Sequence, residues 1–462
     1  MITSIIGSRL VSKSRVIQTA SFAFILLFFY ICYQSMSKEN MGLNYSLRNN
    51  LFVLDYEPER RIVYAPLQGQ AFFCGVNEAD EIESYIKTGC IPSSEILCNY
   101  LDSLGHAPVS VPKDTPAIDT DDRLVIILSQ MCNMACTYCF AQESRSSLSM
   151  DETILKNAID YVFAKGTSAK VFTFIGGGEP LIRWALLKSG ITHIAKLSEE
   201  KGIEYSVRII TNGTLIDNER AAFLSKFHVS VSLSFEILPD IQNTQRPLHL
   251  ETQSSYDAIC RGIDCLRRHI IPFGFRSTIT EINVNRMPEM VEYSLKHFPE
   301  VSKLHLEPAT IEGLGTSFYR NYVKAFMDAF TIGDHSNLFV TNSFINSYFK
   351  IKRRFCQGEL CLTPTGDFVA CHRHSSSDDA LFDIFRMGSA DSKSISLIPH
   401  RVDSITAIWN EKDNECETCM AKWHCAGKCR SIRKSLTTDE NPVHCSFIRE
   451  LLTQFIGYNL KH

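Results

Sequence analysis

The placement of cysteine constrains this chain more than any other feature of its sequence. Eleven of the 17 cysteines fall in two stretches, with Cys132, Cys136 and Cys139 in one and Cys356, Cys361, Cys371, Cys416, Cys419, Cys425, Cys429 and Cys445 in the other. A disulfide framework belongs to small secreted domains, whereas tight C-x2-C and C-x3-C pairs in a long chain point to thiolates that ligate a metal ion or cluster. Such ligands need a reducing compartment, so the cytoplasm is the expected location. The remaining six, Cys32, Cys74, Cys90, Cys98, Cys260 and Cys265, have no ligand spacing and read as ordinary buried thiols.

A length of 462 residues exceeds a single ordinary core and suggests two or three units. Hydrophobic residues at 45% and charged residues at 21% are the proportions of a soluble globular protein. A net charge of −4 offers no basic excess of the kind phosphate backbones demand, so nucleic acid is not expected as a partner. One segment disturbs this picture. Residues 16–37 carry no charge and are rich in Phe, Ile and Leu, long enough for a bilayer span. Arg9, Lys13 and Arg15 before it would hold the N-terminus in the cytoplasm and put the body outside. That conflicts with a chemistry fed by reduced clusters. Residues 1–40 therefore stay open between an over-extended start with Met36 or Met41 as first residue, a membrane anchor, and a cleaved signal.

Residues 41–120 read as a small N-terminal α+β accessory domain and linker. The runs Leu51–Leu54, Ile62–Tyr64 and Gln70–Cys74 precede a helix capped near Asn77, in a strand–strand–helix order. The prolines of residues 107–116 mark a linker. Beyond Asp122, β-branched runs alternate with amphipathic ones. Strands are expected at Leu124–Leu128, Lys170–Ile175, Ser206–Ile210, Val229–Leu233, Phe273–Thr278 and Lys303–Leu306. Helices are expected at Asp151–Ala164, Leu181–Ser198, Ser255–Arg268 and Met290–His297. This β–α order implies a parallel sheet with its chemistry at the carboxyl ends of the strands. Residues 350–450 are poor in apolar periodicity and rich in Cys, as expected where clusters replace core.

Directly after the first of these strands stands Cys132-Asn-Met-Ala-Cys136-Thr-Tyr138-Cys139. Three thiolates on a four-iron cluster leave one iron without a protein ligand, open to the amino and carboxylate groups of an amino acid. The second strand ends in Gly176-Gly177-Gly178-Glu179-Pro180 and the third in Ile210-Thr211-Asn212-Gly213. With these elements the chain resembles the radical S-adenosylmethionine (SAM) superfamily. The resemblance implies a partial (β/α)6 barrel over residues 121–335, one SAM-binding [4Fe-4S] cluster, and reductive cleavage of SAM to a 5′-deoxyadenosyl radical that abstracts a substrate hydrogen. It also implies that Tyr138, Gly177, Gly178, Glu179, Pro180, Thr211 and Asn212 contact SAM, with Glu179 receiving its ammonium group. Ser232 or Ser234 would meet the ribose and Arg246 the carboxylate, although Phe235-Glu236 replaces the Asp-Gly pair common in relatives.

The eight C-terminal cysteines resemble the SPASM domain of radical SAM peptide and protein maturases, the group that includes the anaerobic sulfatase-maturing enzymes. By order, Cys356, Cys361, Cys371 and Cys429 would hold one auxiliary [4Fe-4S] cluster and Cys416, Cys419, Cys425 and Cys445 a second; a pair of zinc sites is the competing reading. His372 stands where the sulfatase-maturing branch carries a catalytic aspartate, so it is a candidate base, and the departure puts formylglycine formation in doubt. The implied activity is an oxidoreductase that oxidises or cross-links a side chain of a ribosomally made peptide or protein, with flavodoxin or ferredoxin as reductant. Two rivals stand beside it. One is a radical dehydrogenase of a small molecule. The other, of a different class, is a membrane-tethered iron–sulfur electron carrier or redox sensor, which has no need of the glycine-rich and Thr-Asn-Gly elements.

Overall fold

A computed structural model describes residues 47–110, 112, 118–250, 253–311, 313–437 and 439–462. The apolar segment at 16–37, Cys32 and much of the proline-rich linker fall outside the described residues. Among the described residues no helix is long and apolar enough to cross a membrane. The described chain divides into two units. The smaller takes the residues up to Pro112 together with Glu417–Trp423 and Leu452–His462, and the larger takes the rest.

In the smaller unit, β1 (Phe52–Glu57), β2 (Arg60–Ala65) and β3 (Gln70–Cys74) form an antiparallel sheet in that order, followed by α1 (Val76–Thr88) and α2 (Glu95–His106). The expected strand–strand–helix order was short by one strand and one helix. Gln70–Cys74 pairs along its whole length with β2, from Ala65↔Gln70 to Arg61↔Cys74. The first helix begins at Val76 after Gly75 with no side-chain cap, so Asn77 lies inside it rather than capping it. Leu51, Val63 and Ala65 pack with Ile82, Leu97, Leu101 and Leu104 into a core of the unit's own.

The larger unit alternates strand and helix: β4 (Arg123–Ile126), α3 (Glu152–Phe163), β5 (Lys170–Phe174), α4 (Trp184–Lys201), β6 (Tyr205–Thr211), α5 (Asn218–Lys226), β7 (Ser230–Ser234), α6 (Pro239–Gln245), α7 (Ser255–Arg268), β8 (Phe273–Ile279), α8 (Met287–His297), β9 (Lys303–Pro308), α9 (Thr316–His335) and β10 (Phe339–Thr341). All the expected strands are present within a residue or two of their expected ends. Strands β4 to β9 pair in chain order and in parallel, and β10 adds to β9 in parallel. On the other side, β4 is joined by β11 (Cys361–Leu362), which runs parallel to it and starts the antiparallel series β12 (Asp367–Val369), β13 (Arg386–Ala390) and β14 (Ile395–Leu397). Among the described residues β10 and β4 do not pair, so the sheet curves without closing.

Alternation decides which face carries chemistry. In β6, Val207, Ile209 and Thr211 are buried while Ser206 and Arg208 are exposed, so the face packed on helices is apolar and the inner face is open. Local signals set the helices: Asp151 caps α3 by accepting from Thr153 N at 2.8 Å, and Ser254 caps α7 by accepting from Asp257 N at 3.0 Å. The sheet's start is pinned by Lys170, whose wholly buried ammonium donates to Asp122 Oδ1 at 2.6 Å, to the Asp121 carbonyl at 3.1 Å and to the Lys165 carbonyl.

Candidate active site

The loop after β4 carries Cys132, Cys136 and Cys139, and backbone hydrogen bonds hold it from several sides. Ala135 N donates to Pro247 O at 2.8 Å, Thr137 N to Gln245 O at 2.9 Å, and His249 N to Asn133 O at 3.2 Å. The Asn133 side chain reaches the loop after β6, donating to Thr214 Oγ1 at 2.8 Å and accepting from Asn212 Nδ2 at 2.9 Å. Cys136 is packed with Met134, Leu248 and Ala258. Burial pushes its thiol pKa up, Cys132 and Cys139 push it further, and Arg246 pulls it back. The Arg145 guanidinium donates to Cys139 Sγ at 3.3 Å.

After β5 the backbone of Gly178 and Glu179 lies along the same loop, with Gly178 N donating to Ser129 O at 3.0 Å and Glu179 N to Met131 O at 2.7 Å. A Cβ on Gly178 would stand 1.8 Å from Met131 O, and one on Gly177 1.9 Å from Gln130 Oε1. The glycines thus admit close approach to the chain's own cysteine loop. Glu179, 2% exposed, accepts from Leu181 N at 3.0 Å and Thr211 Oγ1 at 2.6 Å through Oε1, and from Asn212 N at 2.8 Å through Oε2. It caps the turn at Pro180 and ties the second motif to the third. Burial holds its carboxyl above the usual range against those bonds. Oε2 keeps an acceptor position for one further donor.

Sequence reasoning passed over the carboxylate at the centre of the third contact. Glu236, fully buried, accepts hydrogen bonds from Tyr138 OH, from Ser277 Oγ and from Thr278 N at 3.1 Å, and lies 3.9 Å from Arg246 Nη1. Arg246 Nη1 also donates to Tyr138 OH at 2.8 Å. The signal was in plain sight as the Phe235-Glu236 departure after β7: the chain swings through a left-handed turn at Ile237 (φ 67°) and turns an acid inward. Of the two ribose candidates, Ser234 lines the cavity beside Arg246; Ser232, on the same face of β7, is not among the lining residues.

That cavity, about 660 Å³, brings together the three thiols, Tyr138, Gly177, Gly178, Glu179, Thr211, Asn212, Ser234 and Arg246. Pro180 is buried behind it in the turn that Glu179 caps. Cys356, Glu359 and His372 line it as well. His372 Nδ1 is 2.7 Å from Glu359 Oε2, which also accepts from His372 N at 3.1 Å. Burial raises the Glu359 carboxyl, but His372 and its bonds outweigh that and hold it low. The imidazole therefore faces the cavity with a carboxylate behind it, the arrangement that fixes a tautomer and supports proton transfer.

Cys356, Cys361, Cys371 and Cys429 form one electrostatic group. Burial raises the pKa of the first three; Cys429 raises both Cys356 and Cys371, Cys371 raises Cys361, and Cys356 raises Cys371. These are the four thiols grouped by order in the sequence. Cys416, Cys425 and Cys445 lie in the larger unit and Cys419 in the 417–423 segment of the smaller one. Among the described residues no three His, Cys, Asp or Glu side chains converge on the position of a single metal ion.

The residues present fit a cluster with an amino-acid ligand. Three unbridged thiols face one cavity, and two lining arginines each leave a buried donor without a partner, Nη1 of Arg145 and Nε of Arg246. A buried guanidinium with an idle donor beside sulfur ligands suits an anionic group such as a carboxylate.

Comparison with known proteins gives the same reading. Residues 126–293 match the model of the radical SAM superfamily. An uncharacterised protein of Methanocaldococcus jannaschii is 29% identical over 177 residues, 38% of this chain, and the match spans 59% of that relative's length. The serine-type anaerobic sulfatase-maturating enzyme of Klebsiella aerogenes is 24% identical over 325 residues, covering 64% of this chain and 76% of the enzyme. Among solved structures, native anSMEcpe with bound AdoMet and Kp18Cys peptide superposes with a TM-score of 0.62 at 18% identity, over 74% of this chain and 99% of that one, a likeness of fold. Residues 126–293 are thus a radical SAM domain, and anaerobic sulfatase-maturating enzymes are among the proteins to which the chain is similar.

Proposed function

We propose that the chain modifies a peptide or protein substrate, oxidising or cross-linking a side chain after hydrogen abstraction. The carrying observation is that the cysteine loop, the Gly-Gly-Glu-Pro and Thr-Asn-Gly elements, and the Cys356–His372 segment line one cavity. In this reading Cys132, Cys136 and Cys139 hold the SAM-binding [4Fe-4S] cluster, which with SAM supplies one-electron reductive cleavage to methionine and a 5′-deoxyadenosyl radical. Glu179 offers its remaining acceptor position to the ammonium of SAM, Arg246 its idle Nε–H to the carboxylate, and Ser234 its hydroxyl to the ribose. Tyr138 and Glu236 orient Arg246. The mutual influence of Cys356, Cys361, Cys371 and Cys429 supports one auxiliary cluster, and the order of the cysteines in the sequence alone assigns Cys416, Cys419, Cys425 and Cys445 to a second. His372, backed by Glu359, is the candidate base. We assign residues 121–335 to the radical SAM core, 350–450 to the SPASM domain and 41–120 to an accessory domain whose sheet edge suits a leader peptide added as a strand. A flavodoxin or ferredoxin in the cytoplasm would supply electrons.

A peptidyl substrate is supported by the kinship with a sulfatase-maturating enzyme and by the peptide named in the anSMEcpe structure. The test incubates reconstituted enzyme, SAM and reductant with a short peptide encoded beside its gene. The expected result is a mass change in the peptide matched mole for mole by 5′-deoxyadenosine. Production of 5′-deoxyadenosine with every such peptide returned unaltered would refute the reading.

A further inference from the structure

The inner face of the barrel is not filled in the usual way, by layers of bulky aliphatic side chains. Strand β7 presents Ser230, Ser232 and Ser234 there; its neighbours place Ser206, Arg208 and Ile210 on one side and Gly274, Arg276 and Thr278 on the other. Arg208 stands level with Thr173 and Ser230, and Arg276 level with Ser234 and His305. Both arginines line the cavity, and both are exposed although they sit in the middle of interior strands. Small neighbours leave them room. Along β6, Arg208 precedes Thr211 by three residues, roughly 10 Å toward the amino end of the strand, so it lies deeper than the cofactor motifs.

These two guanidinium groups lack the partners that Arg145, Arg246 and Arg373 have, while Arg123, which also lines the cavity, lies close enough to Glu359 to help hold that carboxyl low. Arg145 bonds Cys139, Arg246 pairs with Tyr138 and Glu236, and Arg373 lies over the Phe140 ring at 5.0 Å. Arg208 and Arg276 have no ion pair or side-chain hydrogen bond among the described residues. The carboxylates near them are committed elsewhere: Glu307 to His305 at 2.8 Å and Ser343 N at 2.9 Å, Glu359 to His372, and Asp119 to the backbone of Asp121 and Asp122. A third cation, Lys303, is close enough to feel both arginines, which with burial lower its pKa. The inner wall therefore gathers Arg208, Arg276 and Lys303, with Glu307 close enough to Arg276 for the guanidinium to help hold its carboxyl low.

We propose that Arg208 and Arg276 receive the carboxylates of an acidic substrate segment inside the barrel and so select an Asp- or Glu-bearing peptide. This rests on the peptide-modifying reading above. The anions that an unmodified peptide carries are carboxylates, and a guanidinium binds them with paired N–H donors.

The test uses reconstituted enzyme with SAM and three libraries of acetylated nonapeptides, randomised except at the centre. One has central Glu with an amidated C-terminus, one central Gln with an amidated C-terminus, and one central Gln with a free terminal carboxylate. Retained peptides are recovered anaerobically by gel filtration and counted by mass spectrometry. The expected result is enrichment of the Glu library over the amidated Gln library by about tenfold, the return of one charge-assisted hydrogen bond. The preference falls to parity in Arg208→Gln/Arg276→Gln and survives in Arg208→Lys/Arg276→Lys, with circular dichroism and iron content verifying both folds. Preference for the free-terminus library alone would replace acidic side chains by the chain terminus and overturn the proposal as stated. Equal retention of the Glu and amidated Gln libraries, or an acidic preference that persists in the Gln variant, overturns it and leaves the peptide reading standing. Retention of no library by native enzyme removes the peptide reading itself, and the proposal with it.

Discussion

Replacing Glu179 by Gln isolates the role of one carboxylate that joins two motifs. Oε1 accepts from Leu181 N and Thr211 Oγ1, and Oε2 from Asn212 N at 2.8 Å. Glutamine can keep its carbonyl in the Oε1 position, but its amide then points hydrogens at the Asn212 N–H. One hydrogen bond to a charged acceptor is lost, about 1.5–3 kcal/mol. Part of this is returned, because burial raises the Glu179 carboxyl pKa and the neutral amide avoids that desolvation. We therefore expect a net loss of global stability of about 1–2 kcal/mol by urea unfolding. The local effect is larger in consequence, since Asn212 N loses its tie to the glycine-rich turn while Thr211 keeps its own. SAM affinity, titrated on reconstituted protein through the cluster's visible absorption, should weaken by about tenfold or more, 1.4 kcal/mol per decade. Affinity within about twofold of the native enzyme, with the stability loss present, would refute the claim that this carboxylate positions the cofactor loop.

Three further outcomes follow from the geometry. Lys170→Met strands the Asp122 carboxylate and two carbonyls at the start of β5, and should lower stability by about 2–4 kcal/mol in urea melts; a change under about 0.5 would contradict the bonding described. Gly178→Ala puts a Cβ 1.8 Å from the Met131 carbonyl, so the glycine-rich turn must move off the cysteine loop; stability falls by about 1–3 kcal/mol and reconstituted protein retains less iron, whereas full iron retention would show that the contact is dispensable. Burial lowers the His305 pKa from 6.5 despite Glu307, helped by Arg276 and Lys303. The unfolded chain then binds the proton first, so stability should decline as pH falls below about 6.5, by at most about 1.4 kcal/mol per unit for this group. Urea melts at several pH values should give a shallower slope for His305→Asn; an unchanged slope would refute the assignment.

The alternation of apolar and polar residues was enough to find β4 to β9, because each strand buries one face against helices. Helix Ser255–Arg268 was legible to the residue, since Ser254 caps it and its apolar stripe is unbroken. Helices Asn218–Lys226 and Pro239–Gln245 were not, being short and polar and held by tertiary contact. The three motifs were legible because strand ends carry their glycines, thiols and amides in a fixed order. What escaped was the wiring between them. Glu236 reads in sequence as a failed alignment and acts in the fold as the acceptor shared by Tyr138, Ser277 and Thr278. Likewise, the glycine-rich turn reads in sequence as a place of close backbone approach, and in the fold its missing side chains make room for Gln130 and Met131 of the chain's own cysteine loop. Arg208 and Arg276 were visible as charges within strands, but only the register of β6, β7 and β8 puts both on one face of the sheet.

The central claim is that Cys132, Cys136 and Cys139 hold the cluster at which SAM is cleaved. Anaerobic reconstitution with SAM and a strong reductant, followed by quantitation of 5′-deoxyadenosine and of iron, tests it most directly. The account predicts 5′-deoxyadenosine from the native chain, its loss in Cys136→Ala, and a fall of about four irons per chain in that variant with the auxiliary clusters kept. Undiminished 5′-deoxyadenosine from Cys136→Ala, or none from fully loaded native enzyme, would contradict it.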